Sequence, residues 1–154
     1  MAETADFKKP NSFERWFNRA FGVLVGLGLA PADYYLLQVR GRKSGRTHST
    51  PVNLVRVGGR RFLVAPRGAT QWVRNAGVAG EVVLKRGRIR ERFRVRAVPG
   101  AEKPEILRTY LDRFRMTVQR YFPLPAGSAA GDFVPLVGRY PVFELLGTGG
   151  VHAG

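Results

Sequence analysis

The chain contains no cysteine, which excludes a disulfide framework and a thiolate metal site. Its two histidines, His48 and His152, stand far apart in the sequence, so no histidine-built metal centre is expected. Long apolar runs are also missing. The tract at residues 20–30 follows a basic stretch and ends in Ala30-Pro31-Ala32, in superficial imitation of a signal peptide. Glu3, Asp6 and Glu14 interrupt the basic stretch, however, and the tract is diluted by glycine and too short to span a bilayer. Acidic residues are scarce as well: 11 Asp and Glu face 26 Lys and Arg, a formal charge of +15. Such an imbalance points to a polyanionic partner: nucleic acid, an acidic membrane surface or a multiply charged small molecule.

What is present suffices for one domain with a proper core: 154 residues, 44% of them hydrophobic. The charge is concentrated, with 16 basic residues against Glu81 and Glu91 in residues 40–96. Asn11 followed by Glu14 resembles a capping box, and Phe13, Trp16, Phe17, Ala20, Phe21 and Leu24 recur at helical spacing, which predicts an amphipathic helix in an N-terminal segment, residues 1–32. Packing on the core is its ordinary role; aromatic residues beside Arg15 and Arg19 leave peripheral membrane contact open. From residue 33 to 154 the pattern predicts a second unit. YYLLQVR, PVNLVRV and RRFLVA alternate as strands, the last two joined at Gly58-Gly59, and EVVLKR and RIRERFRVRAV form a hairpin turning at Gly87. A short helical stretch lies around residues 71–76, a long helix runs from Pro104 to about Phe122, PLPAGSAAGDF is a loop, and YPVFELL is a last strand. Six mostly antiparallel strands with helices towards each end predict an α+β fold around a small barrel.

Two basic features could meet an anion. Arg88, Arg90, Arg92, Arg94 and Arg96 alternate along one strand and so share a face. They allow a non-enzymatic nucleic-acid-binding module, although a row of arginines more often solvates the outside of a strand. No recognition helix, zinc finger or aromatic RNA-binding strand accompanies them, and no specific nucleic acid is expected. GRKSGRTHSTP at residues 41–51 carries more geometry: Gly41 and Gly45 bracket Arg42, Lys43 and Arg46, hydroxyls are interleaved, and Pro51 closes the stretch. Glycines bring backbone N–H groups close to a partner, while the cations add charge-assisted donors. The stretch lacks the G-K-[ST] ending of a P-loop.

GRKSGRTHSTPVNLVRVGGRRFLVA, followed by PRGA and QWVRN, resembles the deazaflavin-dependent nitroreductase family of split β-barrel (FMN-binding-like) oxidoreductases that bind coenzyme F420. The likeness runs over residues 36–97, with an echo in PVFELL. In that family the G-R-K-[ST]-G loop holds the cofactor's phosphodiester and glutamate tail, and W-x-x-N helps to form the ring site. The resemblance implies that Arg42, Lys43, Ser44, Gly45 and Arg46 meet the tail. His48, Ser49, Thr50, Pro51, Val52 and Asn53 continue the phosphate and ring contacts, Val64, Ala65, Pro66 and Arg67 line the ring pocket, and Gln71, Trp72, Val73, Arg74 and Asn75 close it.

The chain departs from the family pattern in places. His48 stands where an arginine is frequent, so part of the phosphate contact is weaker, pH-sensitive or transferred to Arg46. Pro66 replaces a serine of the characterised nitroreductases, and their tyrosines before the last strand are not matched by Tyr121, Phe122 and Phe133. The resemblance therefore implies a cytoplasmic F420H2-dependent oxidoreductase, quinone reductase-like or nitroreductase-like, that passes a hydride to an apolar electron-poor acceptor such as a quinone or conjugated carbonyl. Tyr121 is the candidate proton donor, and a homodimer is an accompanying expectation. An FMN-binding split-barrel relative is the other enzymatic alternative.

Overall fold

Alternating apolar and polar residues become strands wherever the sequence predicts them. In this computed structural model, which describes residues 33–148, they are β1 (Tyr34–Arg40), β2 (Thr47–Val57), β3 (Arg60–Val64), β4 (Glu81–Arg86), β5 (Ile89–Ala97) and β6 (Val142–Gly147). All neighbours are antiparallel and the sheet closes as a barrel in the order β1-β2-β3-β6-β5-β4. Among the described residues two α-helices accompany it, α1 (Gln71–Ala79) and α2 (Lys103–Val118). The β2–β3 turn needs Gly58 and Gly59, whose φ angles are 59° and 79°, because only a mirror-image two-residue turn matches the strand twist. The predicted N-terminal helix lies outside the described residues. Among the described residues no helix is long and apolar enough to cross a membrane.

Side chains alternate across the barrel wall, giving a core on each side of it. Inside, Leu37, Val39, Leu54, Leu63, Leu84, Phe93 and Phe143 pack together, and Val73 and Ala76 of α1 join them. Outside, α2 lays Ile106, Leu107, Tyr110, Leu111, Phe114 and Val118 on Val55, Phe62, Val64 and Val142. Each large apolar side chain buried this way contributes roughly 1.5–3 kcal/mol. Phe114 breaks α2 with φ −116° and ψ 24°. The Thr117 hydroxyl donates to the Phe114 carbonyl at 3.1 Å, a local bond of the kind that competes with the helical ladder and bends helices.

Three boundaries differ from the sequence reading. The basic loop ends earlier: Thr47, His48, Ser49, Thr50 and Pro51 already belong to β2, with Pro51 opposite Leu36. The long helix stops at Val118 and passes into a 3-10 turn, Gln119–Tyr121. The loop after it condenses into a 3-10 segment, Ala130–Arg139, seated by buried Phe133.

Arg88 falls in the turn before β5 and not on the strand; the other four arginines of the row face out of the barrel and find protein acceptors. Arg90 donates to Gln38 at 2.6 Å, Arg92 to Glu81 at 2.9 Å, Arg94 to the Gly147 carbonyl at 3.3 Å and Arg96 to Glu102 at 2.8 Å. Glu144, a buried carboxylate of β6, receives Arg60 at 2.8 and 2.9 Å and Arg96 at 3.0 Å. The Arg60 hydrogen bonds, reinforced by Arg96 against the cost of burial, pull its carboxyl from 4.5 down to about 2. Because the folded value is depressed, the stabilisation is complete above about pH 4.5 and is lost as pH falls towards 2. Glu144→Gln is therefore expected to lower the melting temperature by about 3–8 °C at neutral pH, with the gap to wild type narrowing on acidification. Melting curves of both proteins from pH 7 to pH 2 check this, and parallel curves contradict it.

Candidate functional site

The β1–β2 loop, the first part of β2, the end of β3, α1 and the end of α2 surround one cavity of about 1080 Å³. This volume lies at the upper end for ligand sites, enough for an extended ligand. Among the described residues that line it none is acidic, whereas Arg42, Lys43, Arg67 and Arg120 are cationic. Its geometry is built from two short stretches of chain.

In the first stretch, Gly45 adopts φ 74° and Gly41 donates to the Arg46 carbonyl at 2.7 Å, which curls residues 41–46 tightly. A side chain on Gly41 would place its Cβ 2.6 Å from His48 Nε2, so the glycine makes room for the imidazole. In the second stretch, Gln71 and Asn75 lie one turn apart on α1 and both reach the loop. Arg42 Nη1 donates to Gln71 Oε1 at 3.0 Å and to Asn75 Oδ1 at 2.8 Å, and the Arg42 backbone N–H donates to the same Asn75 oxygen at 3.0 Å. Asn75 is buried. Its carboxamide thus holds a guanidinium at the cavity wall, a bond to a charged group in a setting where leaving it unmade is costly.

Two buried polar atoms of lining residues, Asn53 Nδ2 and Thr70 Oγ1, have no hydrogen-bond partner among the described residues. Thr70 precedes α1, yet its hydroxyl does not cap the helix. Burying such groups unpaired costs free energy that a polar ligand can recover. Trp72 is half-buried at the wall and leans on Phe143 with ring centroids 6.0 Å apart.

Most residues marked by the sequence meet here: Arg42, Lys43, Ser44, His48, Ser49, Thr50, Pro51, Val52, Asn53, Val64, Ala65, Pro66, Arg67, Gln71, Trp72, Asn75 and Tyr121 all line the cavity. Gly45, Arg46, Val73 and Arg74 do not. Gly45 and Arg46 are exposed and serve the turn, Arg46 through its backbone. Val73 points into the barrel core, and Arg74 is exposed and bonds the Ala69 carbonyl at 3.1 Å. The sequence reading missed Tyr34, Val39, Gly41, Thr70, Tyr110, Thr117, Val118 and Arg120. Gly41 and Thr70 were detectable as neighbours of the two motifs; Tyr110 and Val118 carry only a helical core signal.

The family model for F420H(2)-dependent quinone reductase matches residues 12–121. No curated protein matches the chain. Among solved structures, an F420-H2 dependent reductase, FDR-A, is 18% identical over 74% of this chain and 94% of its own, with a TM-score of 0.50. A protein described as a domain-swapped dimer is 17% identical over 87% of this chain and 99% of its own, with a TM-score of 0.53. A protein of unknown function from Agrobacterium tumefaciens is 18% identical over 92% of this chain and 56% of its own, also with a TM-score of 0.53. At these identities the structural likeness establishes the split-barrel fold.

Proposed function

The chain belongs to the F420H(2)-dependent quinone reductase family, and from that premise we propose that its cavity binds reduced F420 and delivers a hydride to a quinone or a comparable conjugated carbonyl. The observation that carries this reading is the cavity, lined among the described residues by cations and no acid, whose loop guanidinium, Arg42, is fastened to α1 by Gln71 and Asn75. A tail of phosphate and carboxylates is a flexible polyanion, and Arg42, Lys43 and Ser44 meet it with charge-assisted hydrogen bonds. The surrounding basic field steers it in. Asn53 and Thr70 have unused hydrogen-bonding capacity for the polar edge of the ring.

When bound, the cofactor supplies the hydride; the chain binds, orients and excludes water. Val64, Ala65 and Trp72 give the ring an apolar wall. Pro66 offers no hydroxyl, which favours a quinone over a nitro compound as acceptor. Tyr121 is the proton donor in this reading. A homodimer and a cytoplasmic location belong to it too.

Titration with F420, FMN and a DNA oligonucleotide tests the proposal. F420 is expected to bind at low micromolar concentration or better and FMN much more weakly, because a single short phosphate cannot occupy the whole cation-bearing wall. A soluble quinone should then oxidise the bound reduced cofactor, with little turnover of nitroimidazoles. FMN binding equal to or tighter than that of F420 would overturn the cofactor assignment. Preferential binding of the oligonucleotide would instead favour the arginine row as the functional surface.

A further inference from the structure

The 3-10 turn at the end of α2 carries a pair that the proposed chemistry leaves half-explained. Arg120 Nη2 donates to the Tyr121 hydroxyl oxygen at 2.7 Å, and the Arg120 guanidinium lies 4.8 Å from the centre of the Tyr121 ring. Both side chains line the cavity. The turn beneath them is fixed: the Tyr140 hydroxyl donates to the Tyr121 carbonyl at 2.6 Å, and Tyr140 stacks on Phe122 at 4.4 Å. Gln119 holds the following loop through the Leu124 carbonyl at 2.7 Å and the Ala126 N–H at 2.9 Å.

The direction of the Arg120–Tyr121 bond matters. A guanidinium is always a donor, so the phenol oxygen accepts, and its own proton must point elsewhere. The other lining tyrosines are placed differently. Tyr110 is fully buried, and burial pushes its phenol well above the usual range, so it keeps its proton. The Tyr34 hydroxyl lies 3.3 Å from Thr117 Oγ1. Among the described lining tyrosines, Tyr121 therefore combines a cationic neighbour with a hydroxyl oriented as a donor.

We propose that Arg120 is a positioning residue which fixes the Tyr121 hydroxyl as a hydrogen-bond donor, and that the pair stabilises negative charge on the oxygen of a carbonyl acceptor. The inference rests on the hydride-transfer reading above. The hydride brings two electrons to the acceptor, whose oxygen becomes anionic. Tyr121 shares and then gives its proton to that oxygen, and solvent restores the phenol. Arg120 meets the charge as it passes to the phenol oxygen, so stabilisation grows as the reaction proceeds. The substrate class follows: acceptors that develop an oxyanion, such as quinones and enones.

The test uses Arg120→Gln, Arg120→Lys, Tyr121→Phe and the double variant Arg120→Gln/Tyr121→Phe. In the cofactor-free protein, tyrosines labelled with carbon-13 at Cζ give a Tyr121 signal identified by its loss in Tyr121→Phe. That signal should move in Arg120→Gln and stay close to wild type in Arg120→Lys. F420 affinity is titrated for each variant, and rates are compared only with the cofactor saturating. Single-turnover oxidation of F420H2 by a saturating soluble naphthoquinone should slow about tenfold in Arg120→Gln, the low end for losing a hydrogen bond to a charged group because Arg120 is exposed. Lysine should restore most of the rate. The double variant should be no slower than Tyr121→Phe, because Arg120 acts through the phenol.

A Tyr121 signal that ignores Arg120, an unchanged rate in Arg120→Gln, or losses that multiply in the double variant would each overturn the inference. If the signal moves but the wild type, though loaded with F420H2, reduces no quinone or enone, the hydride-transfer reading has failed and this inference falls with it. The spectroscopic result separates that case from a pair that never forms.

Discussion

The double variant Arg42→Ala/Lys43→Ala will bind F420 more weakly than the wild type by a factor of about ten to several thousand at low salt. Each side chain offers charge-assisted hydrogen bonds worth roughly 1.5–3 kcal/mol, and the range reflects how much of that survives in a loop open to water. The two residues are not equivalent. Lys43 is exposed, a flexible point charge, whereas Arg42 is held at Nη1 by Gln71 and Asn75 and so presents its remaining donors without first being ordered. Arg42→Ala alone should account for most of the loss. Asn75→Ala, which leaves the charge but releases its anchor, should reproduce part of it. The loss in the double variant should shrink as salt rises, because screening already weakens the wild-type contact. Fluorescence titrations of all three variants at low and high salt measure this. Normal F420 affinity in the double variant at low salt would reduce the loop to a solvated turn.

Sequence patterning was enough to place all six strands and α2, because side chains alternate between the barrel interior and its outer face with a period of two while α2 buries a single stripe. The edge of the basic loop was misread for a physical reason. His48, Ser49, Thr50 and Pro51 have loop composition, yet they pair with apolar β1, Val39 and Leu36 among their partners. β3 pairs with β2 only from Leu54 onward, so among the described residues this part of β2 has β1 alone beside it and behaves as an edge, where proline and polar residues are tolerated. The same opening lets these residues face the cavity.

The α1 motif was legible as a unit, but not residue by residue. Gln71 and Asn75, four apart, share the face that meets the loop, while Val73 is turned into the core and Arg74 towards water. Helical spacing alone could have excluded Val73, nearly half a turn from Gln71, but not Arg74, which at i+3 lies on the same side. Arg120, Thr117 and Tyr110 could not have been found this way. Their place at the cavity depends on the break at Phe114 and on how α2 lies across the barrel, which are tertiary facts.

Trp72→Ala should slow hydride transfer about a hundredfold while weakening F420 binding far less, since even a small misplacement of reacting atoms has that effect on a rate. The indole has two neighbours to serve. It lines the cavity, and it leans on Phe143 of the barrel interior, so its removal also takes packing from the core cluster around α1. Trp72→Phe separates the two roles, because a smaller ring retains apolar contact with Phe143 but cannot fill the same wall. If Trp72 places the ring, the phenylalanine variant will melt close to wild type and still turn over slowly, with its loss in kcat rather than in F420 affinity. If Trp72 is a core aromatic only, rate and melting temperature will fall and recover together across the two variants. Stopped-flow oxidation of bound F420H2 by a soluble quinone, read beside thermal melts of the same preparations, distinguishes these results.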